Sequence, residues 1–158
     1  MRARTEPSLL ARAVGLLARR EYTRAQLTSR LSRHAESQEA VSAVLDQLQQ
    51  RGLLSDQRYV EARTRTLARK FGAARIRHDL ETAGAAALLI EEAMAGIGDD
   101  EFSRAQAVWQ SRFAAAPGDR TEWARQGRFL QSRGFDFEVI RRVLKSPPVA
   151  AGDDNPGA

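Results

Sequence analysis

The chain has 158 residues, enough for one ordinary domain or for a few small units in series that share their hydrophobic surface. It has no cysteine, which excludes disulfides, thiolate metal sites and cysteine nucleophiles, and its 25 Lys and Arg against 20 Asp and Glu give a net charge of +5. No apolar run approaches the roughly 18 residues of a membrane span, and Met1 to Pro7 lacks the apolar stretch of an export signal, so a cytoplasmic protein with no membrane partner is expected.

From Leu9 onward apolar residues recur at spacings of three and four, as in Leu9, Leu10, Ala13, Leu16 and Leu17 and again in Val41, Val44, Leu45 and Leu48. The pattern predicts helices at about 8–20, 24–34, 38–51, 56–70, 73–83, 87–96, 100–115, 121–133 and 137–145. Thr23 with Gln26, and Asp119 with Glu122, have capping-box spacing; Ser55 or Asp56 can start a helix, and Asp99-Asp100-Glu101 sits where a helix dipole favours negative charge. Gly52, Gly84 and Gly134 each follow a helical run, as helix stops do. No alternating β-branched stretch nominates a strand.

Nine helices divide into three triplets. Tyr22, Leu27 and Leu31 share their spacing with Phe71, Ile76 and Leu80 about fifty residues later. Val41 and Leu45 correspond to Ile90 and Met94, and these to Ile140 and Leu144, while Gly84 matches Gly134. The expected fold is all-α: three tandem three-helix repeats, 8–51, 52–97 and 98–146, in an elongated, curved array, with disordered tails at 1–7 and 147–158.

Neither histidine, His34 or His78, has a partner at metal-binding spacing, and both read as half-exposed helix residues. Carboxylates interleave with arginines, as in Arg75 with Asp79 and Glu138 with Arg142, in the manner of solvated ion pairs. There is no phosphate-cradling glycine loop and no nucleophile elbow; catalysis, a metal and a cofactor are all unexpected.

All basic residues except Lys70 and Lys145 are arginines. Arg58, Arg65 and Arg69, followed by Lys70, Arg75 and Arg77, form one candidate partner- or DNA-binding ridge. Arg125, Arg128 and Arg133, with Arg141, Arg142 and Lys145, form a second. Any single arginine reads more readily as solvated surface; the groups are the better candidates. Tyr22, Tyr59, Phe71, Trp109, Trp123, Phe129, Phe135 and Phe137 can stack on bases, but most fall on core stripes. Gln26 to Gln38 has a helix-turn-helix outline without a clear set of base-reading side chains.

Three stretches carry a family resemblance. The first is Leu16-Leu17-Ala18-Arg19-Arg20-Glu21-Tyr22-Thr23 leading to Gln26-Leu27 and Leu31. The second runs from Leu45 and Leu48 through Gly52-Leu53-Leu54-Ser55-Asp56 and Tyr59-Val60 to Arg69-Lys70-Phe71-Gly72, Arg75-Ile76, Leu80 and Gly84. The third is Arg128-Phe129-Leu130 and Arg133-Gly134-Phe135 with Ile140 and Leu144. In order and spacing these resemble the bacterial RecX family, modulators of the RecA recombinase, over about residues 8–146. The resemblance implies a monomeric regulatory protein, not an enzyme. It would bind RecA and its filament on single-stranded DNA and suppress the recombinase, ATPase and coprotease activities. An independent helix-turn-helix DNA-binding module and a plain protein scaffold are the alternatives, separated by whether DNA is bound without recombinase and whether any binding is salt-dependent.

Overall fold

The computed structural model describes residues 5–146; residues 1–4 and 147–158, on which most of the two expected tails fall, lie outside the described residues. Among the described residues are nine α-helices, one 3₁₀ turn and no strand. In chain order they are α1 (Leu9–Leu17), α2 (Arg24–Leu31, followed by the 3₁₀ turn Ser32–His34), α3 (Gln38–Gln50), α4 (Asp56–Ala68), α5 (Ala73–Thr82), α6 (Ala87–Gly98), α7 (Glu101–Gln110), α8 (Arg120–Ser132) and α9 (Phe137–Lys145). No helix of the described residues is long and apolar enough to cross a membrane.

Four helices stop early, α2 among them: expected to 34, it ends at Leu31 and finishes as the 3₁₀ turn Ser32–His34. For the other three the expectation carried α1 to 20, α4 to 70 and α7 to 115, whereas they end at Leu17, Ala68 and Gln110. For α7 the cause is tertiary. Ala114, Ala115 and Ala116 favour helix but bury nothing, Pro117 biases its predecessor away from it, and the Gln126 side-chain amide donates to the Ala115 carbonyl at 3.2 Å.

The described chain gathers into two compact units: residues up to Arg65 with His78–Ala93, and Thr66–Arg77 with residues from Met94 onward. The middle triplet, α4 to α6, is divided between them. Three helices of about fifty residues bury too little alone, so the sequence repeat and the compact body need not coincide.

In the first unit α1, α2 and α3 close on Ala13, Tyr22, Leu27, Leu31, Val41, Leu45, Leu48 and Leu54, all buried. Each such leucine contributes roughly 1.5–3 kcal/mol by leaving water. Thr23 is fully buried and caps α2 in a complete box: its hydroxyl accepts from the Gln26 N–H at 3.1 Å and its N–H donates to the Gln26 side-chain oxygen at 3.0 Å. The same hydroxyl donates to the Ala83 carbonyl at 2.6 Å, at the end of α5. The neighbouring Arg24 N–H is capped from a distance by Asp56, at 2.7 Å.

The second unit buries Ala105, Val108, Trp109, Leu130, Phe135, Ile140, Val143 and Leu144, with α9 lying against both α7 and α8. Trp109 donates its indole N–H to buried Gln126 at 2.8 Å, so neither polar group is orphaned. At the start of α5 the Gly72 N–H donates to the Arg133 carbonyl at 2.8 Å and the Ala74 N–H to the Gly134 carbonyl at 3.2 Å. The Ala73 N–H between them meets Glu101 at 3.1 Å. Glu101 thus serves two helices, its charge in the first turn of α7 and its carboxylate on an N–H at the start of α5, while Asp100, at the α7 N-cap position, makes no side-chain cap bond.

These two joints have one plan. In each, a repeat's second helix begins against the glycine turn that ends a second helix further along the chain, and a carboxylate from an intervening helix start caps it. Close approach explains the glycines. Gly84 (φ +76°) has Ala25 Cβ 2.5 Å from where its own Cβ would be, and Gly134 (φ +87°) has Arg75 Cβ at 2.5 Å and the Arg75 nitrogen at 2.6 Å.

Candidate functional site

The joint in the second unit determines where its arginines go. Because Gly72 is bonded to the turn after α8, Phe71 is held between α5 and the end of α8. The guanidinium of Arg75 lies 4.8 Å from the Phe71 ring centre and that of Arg133 at 5.5 Å. Arg133 also lies 5.2 Å from Phe129, which Arg112 approaches at 5.7 Å. Phe129 meets Phe113 edge-on, with centres 5.4 Å apart, and Arg125 sits 5.3 Å from Phe113. Four arginines therefore lie on three phenylalanines in one strip, two of the rings packed directly on each other.

A ring orients a guanidinium without neutralising it. Each contact contributes about 0.5–1 kcal/mol at an exposed position and leaves N–H donors for an incoming phosphate or carboxylate. Of the four, Arg125 also pairs with Glu122 at 2.9 Å. Just before Phe71, Arg69 and Lys70 are exposed. Beneath it, half-buried Arg104 donates to the carbonyls of Ala68 and Phe71 at 3.2 and 2.8 Å, anchoring the chain end of α4, and burial lowers its pKa from the usual arginine value.

The remaining residues singled out from sequence divide by role. Arg58, in the first unit, is occupied: it donates to Glu21 at 2.9 Å and to the carbonyls of Gly52 and Leu53 at 2.8 and 3.2 Å, closing the turn after α3. Arg65 is exposed in the same unit, and Arg77 is half-buried. Arg142 covers Phe102 at 4.4 Å, and Lys145 is exposed. Arg128 and Arg141 line a groove of about 240 Å³ between α8 and α9, beside Trp123 and Phe137. Phe137, one of the eight aromatics named from sequence, is 66 % exposed. Of the acids in the suggested helical ion pairs, Asp79 takes two N–H donors of Arg63 at 2.7 and 2.8 Å, and Glu138 faces Arg141 at 3.5 Å.

Thus the structure joins one member of the first ridge, Arg75, to Arg125 and Arg133 of the second, and adds Arg112, which sequence reasoning passed over. A signal existed: a basic residue directly before phenylalanine recurs in Lys70-Phe71, Arg112-Phe113 and Arg128-Phe129.

The fold and this surface define a class, all-helical proteins of tandem three-helix domains with cations held on aromatic rings. Comparison with known proteins names the family. The models for the first, second and third three-helix domains of RecX match residues 10–48, 55–94 and 99–144 in that order. The regulatory protein RecX of Leptothrix cholodnii is 44 % identical over 142 residues, 90 % of each chain. That of Ralstonia nicotianae is 39 % identical over 146 residues, 92 % of each. The crystal structure of RecX from Lactobacillus salivarius superimposes with a TM-score of 0.74 at 18 % identity, over 86 % of this chain and 92 % of that one, a likeness of fold. The chain belongs to the RecX family.

Proposed function

We propose that this protein is a cytoplasmic, monomeric regulator that binds the RecA recombinase and its filament on single-stranded DNA and inhibits the recombinase, ATPase and coprotease activities. It acts by binding, with no catalytic step of its own. The observation that carries the reading is the match of all three RecX domain models, in order, across most of the chain.

The geometry supplies a physical route. Repeats 8–51, 52–97 and 98–146 offer surface for a repetitive partner, and the strip from Arg75 to Arg125 supplies directed cations for phosphates or acidic side chains. Bridging neighbouring recombinase subunits would hinder the rearrangements that accompany ATP turnover. The test is the steady-state ATPase of the cognate recombinase on single-stranded DNA, titrated with this protein at two salt concentrations. Inhibition at well under one copy per recombinase subunit, weakened by salt, is expected. No inhibition in excess overturns the reading and favours an independent DNA-binding module.

A further inference from the structure

The groove between α8 and α9 is lined by Trp123, Phe137 and Ile140, by the bare backbone of Gly127, and by the two cations Arg128 and Arg141. Two of these residues run against what helix stability alone favours. Phe137 opens α9 with its large apolar side chain mostly in water. Gly127 lies inside α8, where glycine is disfavoured relative to alanine. Packing does not require it, since an added Cβ would meet Leu144 and Ile140 at the ordinary distances of 3.8 and 3.9 Å. Both residues open or face the same groove. Among the described residues no carboxylate pairs with Arg128, which is exposed, and Arg141 meets Glu138 at 3.5 Å, an acid itself 73 % exposed.

An occupant for this groove should bring small apolar side chains for the rings and carboxylates for the arginines. The chain carries such a segment on the same helix. Residues 147–158, Pro-Pro-Val-Ala-Ala-Gly-Asp-Asp-Asn-Pro-Gly-Ala, follow one residue after the end of α9. They hold two carboxylates, Asp153 and Asp154, and no cation, in a chain of net charge +5. Ser146 leaves α9 extended, with φ −78° and ψ 126°, the conformation favoured before a proline, and two prolines in a row favour a polyproline II continuation. Proline-rich segments of that form are the natural ligands of aromatic-lined grooves. Length is no obstacle: the nine residues of α9 span about 13 Å, and twelve extended residues at about 3.1 Å each cover nearly three times that. A nucleic-acid strand would satisfy the arginines but bring no aliphatic side chain for the floor.

We propose that residues 147–158 fold back into the α8–α9 groove, seating Val149, Ala150 and Ala151 on Trp123 and Phe137 and pairing Asp153 and Asp154 with Arg128 and Arg141. The docked segment replaces the disorder expected from its composition. It covers two cations of the second ridge, an autoinhibitory contact that a competing partner has to displace. The proposal goes beyond the recombinase reading and does not need it, because groove and segment belong to one chain.

The chain has no cysteine, so Gly152→Cys in the full-length protein gives a single site for a bimane label, which an indole quenches on close approach. Trp109 is 2 % exposed, leaving Trp123 as the accessible quencher. A short tether supplies an effective concentration in the mM range, so even a contact with a Kd of about 1 mM keeps the segment docked about half the time. The labelled protein at low salt is therefore expected to emit at about half the yield, or less, of the same protein carrying Trp123→Phe. Asp153→Asn with Asp154→Asn should restore most of the lost emission, as should high salt. Those two acids lie outside the helices, so their replacement tests the contact without disturbing the fold, and circular dichroism checks Trp123→Phe. Equal emission with and without Trp123 overturns the proposal and leaves the groove to another molecule. Quenching that survives the double Asn change at every salt concentration overturns the charge pairing. Quenching that fades on dilution overturns folding back and assigns the groove to the segment of a second copy. The ATPase test is independent of all three outcomes.

Discussion

Gly72→Ala is the most incisive single change to the second unit. Gly72 does not have a positive φ, so the argument is one of space. A Cβ there would run into the Gly134 carbonyl oxygen and lie 2.5 Å from its carbon and 2.6 Å from the Phe135 nitrogen. These are backbone atoms of a turn that has no side chain to swing aside. Relief requires separating the two segments of chain, which lengthens the bonds from Gly72 to Arg133 and from Ala74 to Gly134. Two hydrogen bonds at about 0.5–1.5 kcal/mol each and overpacking of about 1–3 kcal/mol are offset by about 0.4–1 kcal/mol from a stiffer unfolded chain. The net is a loss of about 1–5 kcal/mol, centred near 3 kcal/mol. Both tryptophans, Trp109 and Trp123, belong to the second unit, so their fluorescence reports on it during urea unfolding. With a urea dependence of about 1–3 kcal/mol per molar, the midpoint should fall by roughly 1–2 M. Gly52→Ala is the counterpart in open space: φ is +71° with nothing within 4 Å of the added carbon, so the cost is about 1–2 kcal/mol of backbone strain without a clash. A Gly72→Ala midpoint within about 0.3 M of the parent would refute the close approach and, with it, the role of this joint in placing Arg75 and Arg133 on one ring.

Thr23→Val keeps volume but removes a cap and leaves the Ala83 carbonyl without its hydroxyl donor, so a loss of about 2–3 kcal/mol is expected by urea unfolding followed by circular dichroism. Arg58→Gln should lower stability by about 1 kcal/mol, through the broken bonds to Gly52, Leu53 and Glu21, and leave recombinase ATPase inhibition intact; Arg75→Gln with Arg133→Gln should do the opposite, weakening inhibition with little change in unfolding. A hydrogen bond with Arg20, aided by the charges of Arg20, Arg30 and Arg19, holds the Tyr22 phenol below the usual tyrosine value despite its burial. A depressed acid stabilises the fold once ionised, so this contribution is full above the unfolded pKa of about 10 and is lost as pH falls through the folded value, with none at neutrality. The alkaline absorbance difference between the parent and Tyr22→Phe should show tyrosinate forming early. Urea should move that onset upward, and an unchanged onset would contradict the arginine field.

Much of the fold could be read from the sequence because its determinants are local. The Thr23 and Gln26 box and the left-handed Gly84 and Gly134 act within a few residues of themselves, and each is found as expected. What could not be read are the long-range partners. Asp56 and Glu101 look like acids serving their own helices, yet each caps another helix's N–H across tens of residues. Likewise a helical wheel places Arg58 with Arg65, but only packing shows that Arg58 is spent on two carbonyls and Glu21. The arginines that line one cleft beside α1 and α2 escaped notice for the same reason: Arg12 and Arg19 come from α1 and the turn after it, Arg30 and Arg33 from α2 and the 3₁₀ turn, and only the packing of those elements makes them neighbours.

The two joints also relate the two cationic surfaces. Tyr22 and Phe71 occupy the same register, one residue before the start of a joint, and both rings carry two arginines. At Tyr22 both come from the same repeat, Arg20 and Arg30. At Phe71 one of them, Arg133, comes from the turn docked on Gly72. The difference follows from the docked turn: the residue before Gly134 is Arg133, whereas the residue before Gly84 is Ala83, which has no cation to offer. Threonine reaches its partner carbonyl through a side chain, at Ala83, whereas glycine does so through its own backbone nitrogen, at Arg133. One aromatic position, repeated, thus holds cations outward in both units while the residue beside it fixes the joint.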